Sequence, residues 1–211
     1  NIAVPPTEHK HNDSYPGGFV KEPRLGMSEW VTSFDLNSLY PNLIVQYNMS
    51  PETLLTGTGD FTASGVDHYL HNELTEEAKS RDVAVAANGS MYRKDRRGIM
   101  PDIIIGLYNE RRDVKNDMLR LKQDYEKKKS ADLSREINKL DNTQMAVKIL
   151  LNSLYGALGN QYLRYFELRI AEGITLSGQL SIKWAEKAMN EYLNKMLKSE
   201  EDYVIAIDTD S

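Results

Sequence analysis

The chain has 211 residues, enough for one domain or two small ones, and its 40% hydrophobic and 27% charged content excludes a disordered chain, a collagen and a disulfide-stapled domain. It contains no cysteine, hence no disulfide framework, no Cys–zinc cluster and no thiol nucleophile, as fits a reducing compartment. The net charge of −5 argues against a simple polyanion binder. The most apolar stretch, Met145 to Gly159, is broken by Lys148 and Asn152 and falls short of the 18 or so residues of a membrane span, so no membrane partner is expected. No leader-like segment follows Asn1, and the chain reads as an internal piece of something longer.

In chain order, residues 1–27 form a proline-rich lead-in with turns, including the cluster Tyr15-Pro16-Gly17-Gly18. Trp30 to Leu36 is β-branched and aromatic and predicts a strand. It runs into the helix-start signal Asn37-Ser38 and a helix from Leu39 to Tyr47, with Pro41 in its first turn. Asp35 is thereby expected at the end of a strand, just before a helix. Gly57 to Met100 reads as a loop-rich insertion holding a hairpin built on Val83 to Ala87, Asn88-Gly89 and Ser90 to Tyr92.

Two long antiparallel helices follow, Ile103 to about Lys129 and Leu133 to about Tyr155, joined near Ser130 to Asp132 and ended by Gly156 and Gly159. A third helix spans Leu168 to Leu197, with Ile174, Trp184, Ala188 and Leu193 on its apolar face. Trp30 and Trp184 are expected in the core. Tyr203 to Ile207 predicts a strand entering Asp208-Thr209-Asp210-Ser211, and its natural pairing partner is a strand following that turn.

Charge is unevenly spread. Between Ile103 and Leu150 there are 11 Lys/Arg against 8 Asp/Glu, a local +3 between acidic flanks. A basic middle can grip polyanions while acidic parts hold cations; a solvated helical hairpin has the same composition. Arg111 and Lys115 share one helical face, as do Lys148, Asn152 and Tyr155. Antiparallel packing would bring Arg111 and Lys148 together as a phosphate clamp, with Lys148 in an otherwise apolar stretch where a charge needs a partner. Asp208-x-Asp210 has little weight alone, since 15 Asp in 211 residues give about one such pair by chance. With Asp35 at another strand end it gains meaning, because clustered carboxylates repel unless a cation lies between them. Hard oxygen donors of this kind suit Mg²⁺, and two such ions would clamp the oxygens of a phosphoryl transfer. His9, His11, His68 and His71 fit no metal motif, and the last two are expected at the surface.

Ser33-Phe-Asp35-Leu-Asn-Ser-Leu-Tyr40-Pro41, Lys148-Ile-Leu-Leu-Asn152-Ser-Leu-Tyr155-Gly156 and Asp208-Thr-Asp210-Ser resemble, in order, the three polymerase motifs of family B DNA polymerases. Tyr15-Pro-Gly-Gly18 is similar to the segment that precedes them. The surrounding wording is most similar to replicative polymerases of T-even-like tailed bacteriophages. The resemblance is weakest over 57–85 and 117–141.

That resemblance implies an α/β (α+β) fold: a palm with a small antiparallel sheet backed by helices, and an inserted antiparallel two-helix fingers hairpin. The expected division is 1–102 for the lead-in and first part of the palm, 103–158 for the fingers, and 159–211 for the second part of the palm. Asp35, Asp208 and Asp210 are implied as catalytic, with Asp35, Asp210 and the Leu36 carbonyl holding two Mg²⁺ ions. Leu39, Tyr40, Arg111, Lys115, Lys148 and Asn152 are implied to bind the dNTP, Tyr40 rejecting a 2′-hydroxyl. Tyr155 and Gly156 would face the nascent base pair, and Tyr15, Gly17 and Gly18 the template. Primer–template DNA is the implied partner, with a sliding clamp and a single-strand binding protein by analogy. The expected reaction is dNMP transfer to a primer 3′-hydroxyl with release of pyrophosphate. The alternative is a catalytically incomplete binding or interaction module derived from a polymerase. One departure stands out: Ile207 occupies a position where the family usually has glycine, and a branched side chain there could crowd the primer end.

Overall fold

Helices account for most of the described residues, as the long proline-free, periodic stretches predict. The computed structural model describes residues 16–55, 65–71, 79–160 and 162–209. Its helices are α1 (Leu39–Gln46), α2 (Gly65–His71), α3 (Ile99–Lys127), α4 (Ala131–Leu158) and α5 (Leu168–Leu197). The strands β1 (Val20–Lys21), β2 (Val83–Val85), β3 (Met91–Arg93) and β4 (Ile207–Asp208) form two small antiparallel sheets, β1–β4 and β2–β3. The molecule is thus mixed helix and sheet.

The bounds of α5 coincide with the expected ones, and the β2–β3 hairpin forms as predicted, with Val83 opposite Arg93 and Val85 opposite Met91. Its tip closes by Ala86 N–H to the Ser90 carbonyl (2.9 Å), and Gly89 supplies the left-handed residue (φ 80°). Helix α3 starts four residues earlier than expected because Pro101 falls in its first turn, where no intrahelical N–H is needed. Ser130 caps α4 by accepting from the Asp132 N–H. Gly156 lies inside α4, and Gly159 alone forms the C-cap.

Two expectations fail. Trp30 to Leu36 is exposed coil, with Trp30 98% exposed at φ 60°. Its β-branched residues favour a pleated, half-buried surface, and no described strand lies alongside to provide one. Trp184 is 61% exposed, because only the first half of α5 is enclosed. On one edge β4 pairs with β1, some 187 residues earlier in the chain, with Val20 opposite Asp208 and Lys21 opposite Ile207.

The core gathers Ile44, Met49, Ala86, Tyr92, Ile104, Val147, Leu151, Leu158, Ile170 and Ile174, from α1, the hairpin, the root of α3, the end of α4 and the start of α5. At 29 residues and about 1.5 Å per residue, α3 extends on the order of 43 Å, carrying its far end well beyond this core.

The root of α3 is fixed by the loop after α1. The Gly98 N–H donates to Asn48 Oδ1 (2.8 Å), the Ile99 N–H to Glu52 Oε1 (2.5 Å) and the Met100 N–H to Ser50 Oγ (3.4 Å). Three N–H groups that a helix start leaves unpaired are thereby satisfied, and a carboxylate faces the positive end of the helix dipole.

Candidate active site

The acidic turn is built by strand pairing. In β4, alternation turns Ile207 into the protein (5% exposed) and leaves Asp208 exposed, so the branched side chain of Ile207 is directed away from the face of Asp208. The Thr209 N–H donates to the Phe19 carbonyl (2.8 Å), and a Cβ on Gly18 would fall 2.4 Å from Thr209 Oγ1. Only glycine allows that approach. From α5, Gln179 Nε2 donates to the Gly17 carbonyl (2.7 Å). Gly17, Gly18 and Asp208 are therefore brought together.

Further along β1, Lys21 sits between Glu186 (2.6 Å) and Asp202 (2.5 Å). Burial pulls its pKa down, yet the hydrogen bonds to the two carboxylates prevail and hold it above the ordinary lysine value. The same bond from Lys21, aided by Asn190 and the Val204 N–H, holds Asp202 below the usual carboxylate range against its own partial burial. Arg24 completes the seam, its N–H on the Ile205 carbonyl (2.9 Å).

Asp35 lies in exposed coil just before the Asn37-Ser38 turn, which Asn42 closes by donating from Nδ2 to the Asn37 carbonyl (2.8 Å). Leu36 beside it is exposed as well. Asp210 and Tyr15 lie outside the described residues.

A second convergence joins α1, α4 and α5. The rings of Tyr40 and Tyr155 stack with centroids 4.7 Å apart and planes tilted by 37°. Behind them α5 presents Gly178, where a Cβ would fall 2.9 Å from Tyr40 Cε1 and 3.6 Å from Leu39 Cδ2. On α4, Asn152 about one turn before Tyr155 and Gly156 beside it are exposed, and a Cβ at Gly156 would meet nothing within 4 Å among the described residues.

The third convergence lies between α3 and α4. Arg111 Nε donates to Gln144 Oε1 (3.4 Å), and Gln144 in turn donates to Asp141 (2.9 Å). Gln144 stands one turn before Lys148, so Arg111 faces the α4 stripe that continues through Lys148 and Asn152. Among the described residues its hydrogen-bond partner is a neutral amide rather than a carboxylate. Lys148 is exposed, as are Ile149 and Leu150 (60% and 53%). The expected cost of burying Lys148 does not arise, because α4 turns Gln144, Val147, Leu151 and Leu158 inward and leaves Lys148 on its exposed side. Lys115, one turn beyond Arg111, is also exposed. Among the described residues no cluster of three or more His, Asp or Glu is set to hold a metal ion. The acidic motif itself offers only hard oxygen donors, a set that matches Mg²⁺.

A family model described as DNA polymerase family B matches residues 1–211. The chain belongs to DNA polymerase family B. It is 34% identical over 253 aligned positions to the DNA-directed DNA polymerase of Escherichia phage RB69, covering 100% of this chain and 28% of that one. With the enzyme of Enterobacteria phage T4 the identity is 35% over 251 positions (99% and 27%). With DNA polymerase 1 of Pyrococcus abyssi it is 33% over 203 (96% and 21%). The chain spans about a quarter of the length of these curated relatives.

Within this family B chain, motif reading did not single out Glu52, Gln144, Gly178 or Gln179. Gly178 had a signal, since glycine inside a helical pattern is costly and points to a close approach. Gln144 stands four residues before Lys148 and could have been found by extending that face. Glu52 and Gln179 act through contacts too distant in the chain for local sequence to show. His68 and His71 are exposed on α2, as expected. No described helix is long and apolar enough to cross a membrane.

Proposed function

We propose that this chain forms the palm and fingers of a template-directed DNA polymerase, with 1–102 and 159–211 as palm and 103–158 as fingers. The observation that carries the reading is the convergence of motifs distant in the chain: Gly17-Gly18 on the Asp208 turn, and Tyr40 on Tyr155. Gly156 adds independent support. Glycine inside a helix costs about 1 kcal/mol, and nothing among the described residues fills the space it leaves, whereas a flat base pair laid on α4 would.

In this reading Asp35, Asp210 and the Leu36 carbonyl would hold two Mg²⁺ ions, with Asp208 beside them. When bound, the ions would supply charge stabilisation to the reacting oxygens of the phosphoryl transfer. Arg111 forks onto the triphosphate, and Lys148 adds a point charge, with Lys115 assisting from the next turn. Leu39 and Tyr40 bed the sugar, and the Tyr40 ring excludes a 2′-hydroxyl by clash. Asn152, Tyr155 and Gly156 bear on the nascent base pair. Tyr15, Gly17 and Gly18 guide the template past the acidic turn. Substrates are primer–template DNA and dNTPs; a sliding clamp and a single-strand binding protein follow by family analogy alone.

Primer extension by the full-length protein tests the assignment. Asp35→Ala is expected to reduce nucleotide addition by at least about a hundredfold, the scale of losing one charge-stabilising group at the reacting atoms. Undiminished extension would overturn it.

A further inference from the structure

Gly178 is the residue in α5 that this chain holds hardest against Tyr40. It is buried within a helix of 30 residues, where glycine is among the poorest helix formers, so the position calls for a steric reason. The reason is visible: a Cβ there would lie 2.9 Å from Tyr40 Cε1, nearer than real Cβ atoms come, and 3.6 Å from Cδ1. The same ring meets Tyr155 at 4.7 Å between centroids. The ring thus touches both the bare backbone of α5 and a second aromatic ring, with Leu39 Cδ2 also 3.6 Å from the Cβ position. Gln179, the next residue, holds the Gly17 carbonyl at 2.7 Å, so this part of α5 is tied to the acidic turn as well.

We infer that Gly178 is a specificity-positioning residue: by admitting the Tyr40 ring against the backbone of α5 it sets how far that ring stands from the sugar of the incoming nucleotide. The inference rests on the proposed role of Tyr40 as the sugar gate. Gly178 itself touches no substrate and acts only through Tyr40. A methyl group at 178 has to push the ring or tilt it, because α5 is enclosed here, with Thr175, Leu176 and Ser177 all buried beside it. Displacing a gating ring by a few tenths of an ångström changes selection between dNTP and rNTP more than it changes the chemistry common to both.

The test is single-nucleotide incorporation by the full-length protein, wild type against Gly178→Ala, Tyr40→Ala and the double variant. Gly178→Ala is expected to change the dNTP-to-rNTP ratio of kcat/KM by about threefold or more, mainly through KM, and to change it no further in the Tyr40→Ala background. An unchanged ratio, or a change of equal size without the Tyr40 ring, would overturn the inference. If Gly178→Ala alone does not fold, thermal melts of the same four proteins decide. Removing the ring should then restore folding, and a double variant as unstable as Gly178→Ala contradicts the contact. Failure of the gate reading is separately visible as an unchanged ratio in Tyr40→Ala alone.

Discussion

Glu52 shows how one side chain can set the direction of a long element. Its carboxylate takes the first free N–H of α3 and the Ser50 hydroxyl. Burial pushes its pKa up, but the Ile99 N–H and the Ser50 hydroxyl outweigh it and hold it below the ordinary value. A depressed carboxyl stabilises the fold above its unfolded pKa of about 4.5, and that contribution is lost as pH falls through the lower folded value. Glu52→Gln is therefore expected to cost about 1 kcal/mol near neutral pH and to flatten the acid limb of the stability curve. Denaturant melts at a series of pH values check this, and parallel curves for both proteins would contradict it. Arg111 belongs to the same scale. With a neutral amide as its partner, its charge is available to an anion, and Arg111→Ala should weaken dNTP binding about tenfold, the loss of one charge-assisted hydrogen bond. Equal affinities by titration would remove Arg111 from the site.

At the scale of elements, the β1–β4 pair deserves the closest reading. Two strands of two residues gain little from their own ladder, so the seam rests on its side chains: Lys21 between Glu186 and Asp202, Arg24 on the Asp202 carbonyl, and Gln179 on Gly17. Gly18→Ala drives a Cβ into Thr209, and the expected result is a displaced acidic turn. Polymerase activity should fall about tenfold or more while the thermal transition moves only a few degrees. Full activity would mean that the close approach of Gly18 has no part in the chemistry. Elements also show what was legible in the sequence. Leu168–Leu197 and the Asn88-Gly89 hairpin were, because helix periodicity and turn chemistry are local. Trp30 to Leu36 misled, because strand propensity is realised only beside a partner strand. The pairing of β4 with β1 was hidden because it spans nearly the whole chain. For the candidate site, motif wording disclosed Tyr40, Tyr155 and the acidic turn, but not the glycine and glutamine of α5 that seat them.

For the molecule as a whole, the net charge is −5 while the α3–α4 hairpin is locally basic, a distribution under which the proposed function would assign cation binding to the acidic parts and polyanion binding to the hairpin. Lys127, Lys128 and Lys129 are exposed at its far end, where Lys127 pairs with Asp124 (3.3 Å). A binding module derived from a polymerase would share that hairpin, but it has no reason to couple a metal ion to a nucleotide. Equilibrium titration separates the two: the polymerase reading expects dNTP affinity to rise with Mg²⁺, and Mg²⁺-independent binding would favour the module.

The central claim is that Asp35 and Asp210, 175 residues apart in the chain, form one metal site. The direct measurement is the separation of their nearest carboxylate oxygens in a crystal structure of the full-length protein with primer–template, dNTP and Ca²⁺ in place of Mg²⁺. The account predicts a separation within about 6 Å, with two ions about 3.5–4 Å apart between the carboxylates and the triphosphate, and Arg111 and Lys148 on the same nucleotide. Carboxylates directed to different surfaces, with no ion shared between them, would contradict it.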